Sequence, residues 1–314
     1  MPSPRFAVAV FTGCLAVAAA IPAAKAQPQM RRQGPPPRPF ARSEMSSAVV
    51  EVPMLSGPEV LLEVRIDGKG PYRFALDTGA GGGGRIGSAL ARTLGLKVVG
   101  QAMTGDPTGK NRQTIDIVEA GSLTVGGATF GGVHLAVREP LPGPGGEPGF
   151  DGVLGIGLFE EHLLTLDYPG QRVRIEKGEL PAADGREVVD FTTPHGVPMI
   201  RVKVGDLDVD ADVDSGNQRG ELVLPASYIG KVPLAKDPVV IGRGRTSFNE
   251  FEIKQAPLKG AVRIGGQTVD RPLVDFVEGF PQGNLGHAFL RRFAVTIDQK
   301  NHRIRFRLPA AQGS

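Results

Sequence analysis

The sequence predicts an all-β protein made of two copies of one fold. The 44 glycines and 27 prolines among its 314 residues recur every few positions between short Val/Ile/Leu runs, as they do where many strands are joined by turns. An apolar run, Phe74-Ala75-Leu76, closes on Asp77-Thr78-Gly79-Ala80. A second alternating run, Ala211-Asp212-Val213, closes on Asp214-Ser215-Gly216-Asn217, and the two aspartates lie 137 positions apart. Towards the end of each half the register becomes strict over 131 positions, matching Gly155 with Gly286, Thr165 with Thr296, Asp167 with Asp298, Arg172 with Arg303 and Arg174 with Arg305. Landmarks repeated in the same order mean a repeated fold.

The first 26 residues read as a secretory signal: Arg5, an apolar run from Phe6 to Ala24 broken by Gly13 and Pro22, and Ala24-Lys25-Ala26 before Gln27. Export to a periplasmic or secreted location is therefore expected, with no stable membrane anchor left in the mature chain. Residues 27–46, including Arg31-Arg32-Gln33-Gly34-Pro35-Pro36-Pro37-Arg38-Pro39, form a Pro/Arg-rich leader expected to be extended or disordered. A first lobe is assigned to 47–180 and a second to 181–314. Losing Arg5 and Lys25 lowers the formal charge from +3 to +1, which argues against a nucleic-acid or anionic-membrane partner. The only cysteine, Cys14, falls in the signal, so disulfides and thiolate metal clusters are excluded from the mature chain.

From Val49 the elements follow in order. Val60–Ile66 and Tyr72–Leu76 read as a hairpin turned at Asp67–Pro71 and leading into Asp77. Ser88–Leu94 reads as a short helix capped by Gly95. Residues 101–113 carry turn residues at their centre, with Thr104, Gly105 and Asp106 at the tip of a hairpin. Strands resume at Leu123–Val125, His134–Val137, Leu164–Asp167 and Arg172–Ile175. In the second half Met199–Val204 and Leu207–Val213 lead to Asp214, and Gly242–Thr246 takes the hairpin-tip place. Alternation puts Leu207, Val209, Ala211 and Val213 towards the core and Asp208, Asp210, Asp212 and Asp214 on the other face; Asp210 and Asp212 are read as solvated edge charges.

The two D-[ST]-G turns, each followed downstream by a Leu-Gly turn (Leu154-Gly155 and Leu285-Gly286), resemble a two-lobed bacterial aspartic protease of the retropepsin-like/pepsin-like kind, over residues 48–308. The resemblance implies two acid-protease-like β-barrel lobes with the active-site cleft between them. It implies Asp77 and Asp214 as catalytic, Thr78, Gly79, Ser215, Gly216, Asn217, Gly155 and Gly286 as support for the pair, and the 101–113 hairpin as a flap. An extended peptide or protein is the implied substrate, without cofactor or metal, and one chain carrying both halves is expected to be monomeric.

The chemistry has its own logic. Hydrolysing an amide without a metal or a nucleophilic side chain needs one group to take a proton from water and another to give a proton to the developing oxyanion. Two carboxylates sharing one proton do both, and they titrate as a pair. Ala80 stands where pepsins often carry Ser or Thr, so one hydroxyl donor is missing and activity is expected at weakly acidic to neutral pH. Asn217 offers an amide that would make the two carboxylates inequivalent, while Asn284 departs from the usual apolar residue of the second supporting turn.

Other chemistries fit worse. Gly79–Gly84 satisfies G-x-G-x-x-G, but a dinucleotide fold needs repeated βαβ units and this chain is almost free of helix. Asp210, Asp212, Asp214 and Glu221 mimic calcium-loop spacing, yet Ser215 replaces the required Gly. His134, His162, His195, His287 and His302 show no metal-ligand spacing, and G-x-S-x-G is absent. The remaining rival keeps the fold and idles the pair, giving a catalytically inactive peptide-binding protein.

Overall fold

The computed structural model describes residues 38–104, 112–139, 149–218, 220–245 and 250–309. The signal, the leader up to Pro37, and Gly105 and Asp106 of the expected flap lie outside the described residues. Residues 38–314 form one compact unit. No helix among the described residues is long and apolar enough to cross a membrane.

The first half supplies β1 (Arg42–Met45), β2 (Val49–Pro53), β3 (Leu61–Ile66), β4 (Lys69–Asp77), β5 (Gly84–Ile86), α1 (Ser88–Leu94), β6 (Lys97–Thr104), β7 (Gln113–Val125), β8 (Ala128–Val137), β9 (Gly152–Gly155), β10 (Leu163–Asp167) and β11 (Arg172–Glu176). The second supplies β12 (Val188–Asp190), β13 (Met199–Val204), β14 (Leu207–Val213), β15 (Leu222–Pro225), β16 (Val239–Arg245), β17 (Glu250–Pro257), β18 (Ala261–Ile264), β19 (Gln267–Asp270), β20 (Leu273–Val277), β21 (Gly283–Leu285), α2 (His287–Leu290), β22 (Ala294–Asp298) and β23 (Arg303–Arg307). The α1 helix ends as read from sequence, with Gly95 left-handed at its C-cap (φ 71°).

Strands β8, β5, β9, β4, β3 and β7 pair in that order, and β7 pairs back onto β8, so the first lobe closes into a barrel. The second lobe orders its counterparts the same way, as β20, β15, β21, β14, β13 and β18. One difference separates them. The long β7 and β8 of the first lobe correspond to pairs of shorter strands in the second, β17 with β18 and β19 with β20, because Pro257 ends β17 and Pro272 sits between β19 and β20, where no ladder N–H is available.

The lobes share a third sheet, β12-β23-β22-β10-β11-β2. At its centre β10 runs antiparallel to β22 with Thr165 opposite Thr296, and their buried hydroxyls hydrogen-bond at 2.9 Å. These two residues are equivalents in the repeat, so a local two-fold axis passes between them. Alternating buried residues from all three sheets form one continuous core, in which Phe130 meets Phe159 edge-on at 5.7 Å.

Two expectations need correction. The leader does not stay disordered to residue 46: Arg42–Met45 pairs with β8 and Phe40 is 1% exposed, packed edge-on against Phe130 at 5.4 Å. A Pro/Arg composition hid one large aromatic and a short edge strand. Asp212 is not a solvated edge charge either, since β14 lies inside its sheet, between β13 and β21. Its carboxylate accepts from Gln282 Nε2 at 2.8 Å and lies 2.9 Å from His195 Nε2. Asp210, by contrast, is exposed and pairs with Arg201 at 3.0 Å.

If Phe40 anchors the end of the leader, Phe40→Ala should lower stability by about 3–5 kcal/mol, the usual loss for emptying a buried aromatic site. Urea unfolding followed by circular dichroism checks this, and an unchanged midpoint would mean that residues 38–46 contribute nothing to the fold.

Candidate active site

Both aspartates stand at the ends of inner strands. Asp77 closes β4, and the parallel pairing of β4 with β9 sets it beside Gly155. Asp214 follows β14, and its N–H donates to Leu285 O at 3.0 Å. The turns after them are interlocked across the axis. Thr78 N–H donates to Ser215 Oγ at 3.0 Å, and Ser215 N–H donates to Thr78 Oγ1 at 2.9 Å. Each hydroxyl then donates into the other lobe, Thr78 Oγ1 to Val213 O at 2.7 Å and Ser215 Oγ to Leu76 O at 2.8 Å. Both residues are fully buried, so each of these four bonds satisfies a group that has no access to water.

The interlock brings the two carboxylates together. A Cβ on Gly79 would lie 2.4 Å from the carboxyl carbon of Asp214, and one on Gly216 would lie 2.4 Å from that of Asp77. Each glycine therefore presses its bare α-carbon against the opposite carboxylate, a place no other residue can fill. Their N–H groups serve their own side, Gly79 donating to Asp77 Oδ1 and Gly216 to Asp214 Oδ1, both at 2.9 Å. Asn217 N–H adds a second bond to Asp214 Oδ1 at 3.1 Å. Behind the turns, Ile156 N–H donates to Ala80 O at 2.8 Å and His287 N–H to Asn217 O at 2.9 Å, so the chain just past Gly155 and Gly286 braces each loop.

The second oxygens are held differently. Asn284 Nδ2 donates to Asp214 Oδ2 at 2.7 Å, while Asn217 Nδ2 donates to Asn284 Oδ1 at 2.7 Å. The Asn217 amide thus acts through Asn284. On the other side Arg85 Nη2 donates to Asp77 Oδ2 at 3.0 Å, with side-chain exposures of 33% for Arg85 and 14% for Asp77. Where a hydroxyl after Asp77 is missing, a guanidinium from β5 approaches instead. Sequence reading did not single out Arg85, because an arginine after a glycine run resembles any strand residue; only the register of β5 against β9 puts it beside the dyad. Asn284 was visible only as a departure from an apolar pattern.

Burial, followed by the charge of Asp77, pushes the Asp214 carboxyl up to about 7, against the pull of Asn284 and Gly216. Tyr168 lies buried near it with its own pKa raised by burial and by the charge of Asp214. Thr104 ends β6 opposite Gln113. No group of three or more His, Cys, Asp or Glu side chains suited to a metal occurs among the described residues.

Two opposed aspartates on interlocked D-[ST]-G turns, at the junction of two equivalent β lobes, define the acid-protease class of site. Residues 62–158 match a family model described as aspartyl protease, a likeness that covers most of the first lobe. Asp214 lies beyond the matched stretch and is tied to it by the internal repeat. No curated protein matches the chain.

Two outcomes follow from this geometry. Ser215→Ala removes one donor and one acceptor from a buried network and should cost about 1–3 kcal/mol, measured by urea unfolding. Because the Asp214 pKa is raised on folding, the folded state binds more protons than the unfolded one. This contribution is complete below about pH 4 and is lost as pH rises through about 7. Unfolding midpoints taken between those limits should fall for the wild type and fall less for Asp214→Asn, whose side chain cannot ionise.

Proposed function

We propose that the protein is an aspartic endopeptidase that hydrolyses peptide bonds by a water activated between Asp77 and Asp214, acting after export on peptides or proteins of the bacterial envelope. The observation that carries this reading is the mutual packing of the two carboxylates, each against the other's glycine, with Asp214 holding its proton up to about pH 7. A protonated and an unprotonated carboxyl are then side by side. Asp77 accepts a proton from the water as its oxygen attacks the scissile carbonyl, and Asp214 donates its proton to the carbonyl oxygen. Collapse of the tetrahedral intermediate returns that proton to Asp214, while the proton held by Asp77 leaves on the amine. Arg85 does not block this path, since a carboxylate oxygen has two lone pairs and Asp77 Oδ2 can accept from both the guanidinium and the water.

That same ion pair is the one observation favouring the second reading, a peptide-binding protein of this fold with an idle pair, because it engages the oxygen a catalytic water would use. Support for an exported protein comes from Arg5, the apolar run to Ala24 and Ala24-Lys25-Ala26.

Cleavage of a broad peptide library by residues 27–314 separates the readings. We expect Asp77→Asn and Asp214→Asn each to reduce cleavage by about 10²–10⁴-fold, the range for loss of a general acid or base. A pepstatin-type inhibitor should block the wild type. Equal cutting by all three proteins would leave the binding reading standing. From the raised Asp214 carboxyl we expect a pH-rate maximum in the weakly acidic to neutral range, with activity declining as pH passes about 7; a maximum below about pH 3 would contradict this.

A further inference from the structure

One rung away from the dyad, the second lobe carries another carboxylate. Asp212 on β14 lies two residues before Asp214, and side chains alternate along a strand, so the two share a face about 7 Å apart along it. Parallel pairing of β14 with β21 repeats one contact at both levels: Asn284 Nδ2 donates to Asp214 Oδ2 at 2.7 Å, and Gln282 Nε2 donates to Asp212 Oδ2 at 2.8 Å. His195 Nε2 donates to the other oxygen, Asp212 Oδ1, at 2.9 Å, since an ionised carboxylate only accepts. The loop that brings His195 also reaches the first lobe. A Cβ on Gly81, four residues after Asp77, would lie 3.4 Å from Gly196 O. His195 and Gln282 line a cavity of about 390 Å³ together with Met199, Arg201, Asp210 and Tyr228, so this cavity adjoins the dyad on the side of Asp214.

The repeat supplies an internal control. Register makes Ala75 the counterpart of Asp212, Leu61 that of Met199 and Val153 that of Asn284. Leu61, Ala75 and Val153 are buried together, with Leu55, Ala80 and Phe150 packed against them. Arg85 lies one strand farther out and is engaged with Asp77. At the level of Ala75 the first lobe thus offers hydrocarbon, where the second offers a carboxylate held by an amide and an imidazole.

Stability does not account for the difference. Hydrocarbon fills the equivalent place in the first lobe, and a buried polar cluster is seldom more stabilising than well-packed hydrocarbon of the same volume. Recognition does account for it. A carboxylate has about four lone-pair sites, so the bonds from Gln282 and His195 leave Asp212 able to accept another. Hydrocarbon pressed against this cluster would displace its water and return no hydrogen bond, whereas an N–H donor would replace the water it displaces.

We propose that Asp212, with His195 and Gln282, forms a subsite on the Asp214 side of the scissile bond that takes a substrate side chain bearing N–H donors and turns away a hydrocarbon one. The amide of Gln or Asn and the cationic head of Lys or Arg share this chemistry. The subsite rests on the reading of the dyad as that of a peptidase, and it gives that peptidase a substrate class.

Matched peptides, blocked at both ends, decide it. One pair differs only by Gln against Met and another only by Lys against norleucine, each placed in turn on either side of the bond that is cut. The wild type should favour the donor-bearing member of at least one pair, at one of the two positions, by roughly 10- to 100-fold in kcat/KM, as expected where a site is built to accept a hydrogen bond. Whichever pair shows the preference identifies the donor as amide or cation. Asp212→Ala, which installs the first lobe's residue, should slow cutting of the donor-bearing peptide selectively; equal slowing of both members would overturn the assignment. Asp212→Asn keeps the shape and one acceptor oxygen, and should retain part of any preference for Gln. His195→Leu, at a half-exposed side chain, should weaken the preference in the same direction and carries the test if Asp212→Ala does not fold. Cutting that depends on Asp77 and Asp214 but ignores the side chain in both pairs overturns the subsite and leaves the peptidase reading intact.

Calorimetric binding of reduced-amide analogues of the same peptides, which cannot be hydrolysed, gives an independent readout. Tighter binding of a donor-bearing analogue, weakened by Asp212→Ala in a protein that cuts nothing, would keep the subsite and remove the peptidase. Equal binding of all analogues to that inactive protein would overturn both.

Discussion

Two carboxylates that repel one another are the element to which the remaining structure is fitted. Bringing Asp77 against Asp214 is unfavourable when both are charged, and more so where water is thin. The molecule keeps them together through exchanged bonds between Thr78 and Ser215, each turn donating into the strand that carries the other. Neither lobe could hold its own aspartate in this way alone, since half of every contact comes from the opposite half of the chain. Farther from the pair, the hydroxyls of Thr165 and Thr296 meet on the same kind of axis inside the shared sheet. The two lobes are therefore aligned at two levels, by a network under the turns and by six strands to which both contribute.

Much of this was legible in the sequence because repetition exposes it. Two aspartates at strand ends, a hydroxyl residue and a glycine after each, and landmarks in fixed order are enough to infer equivalent lobes and opposed carboxylates. The short helix at Ser88–Leu94 was legible for a local reason, since Gly95 adopts the left-handed conformation that ends a helix. What stayed hidden depends on register. Arg85 and Asp77 are joined by an ion pair only because β5 and β4 both pair with β9. Alternation assigned Asp212 to the correct face of β14 but could not show that His195 and Gln282 would cover it. Asn284 was visible as an anomaly whose purpose emerges only when its amide is seen to reach Asp214.

The lobes are also instructive where they differ. Prolines divide two long strands of the first barrel into four short ones in the second without changing the order in which their neighbours pair. Strand order around the aspartates is retained while strand continuity away from them is not. The donors to the second carboxylate oxygens also differ between the lobes: a cation on β5 serves one side and an amide on β21 the other. Non-equivalent strands deliver unlike chemistry to carboxylates that the backbone holds in like fashion.

A site with perfect two-fold symmetry could not tell the two ends of an extended chain apart, because turning the chain around would present it with the same surroundings. Here one side of the axis carries Arg85 against Asp77, and the matching place on the other side is Val223. The flanks of the aspartates thus differ in chemistry, a guanidinium on one side and buried hydrocarbon on the other. A duplicated scaffold can therefore differ in chemistry from one flank to the other while the backbone holds the two carboxylates alike.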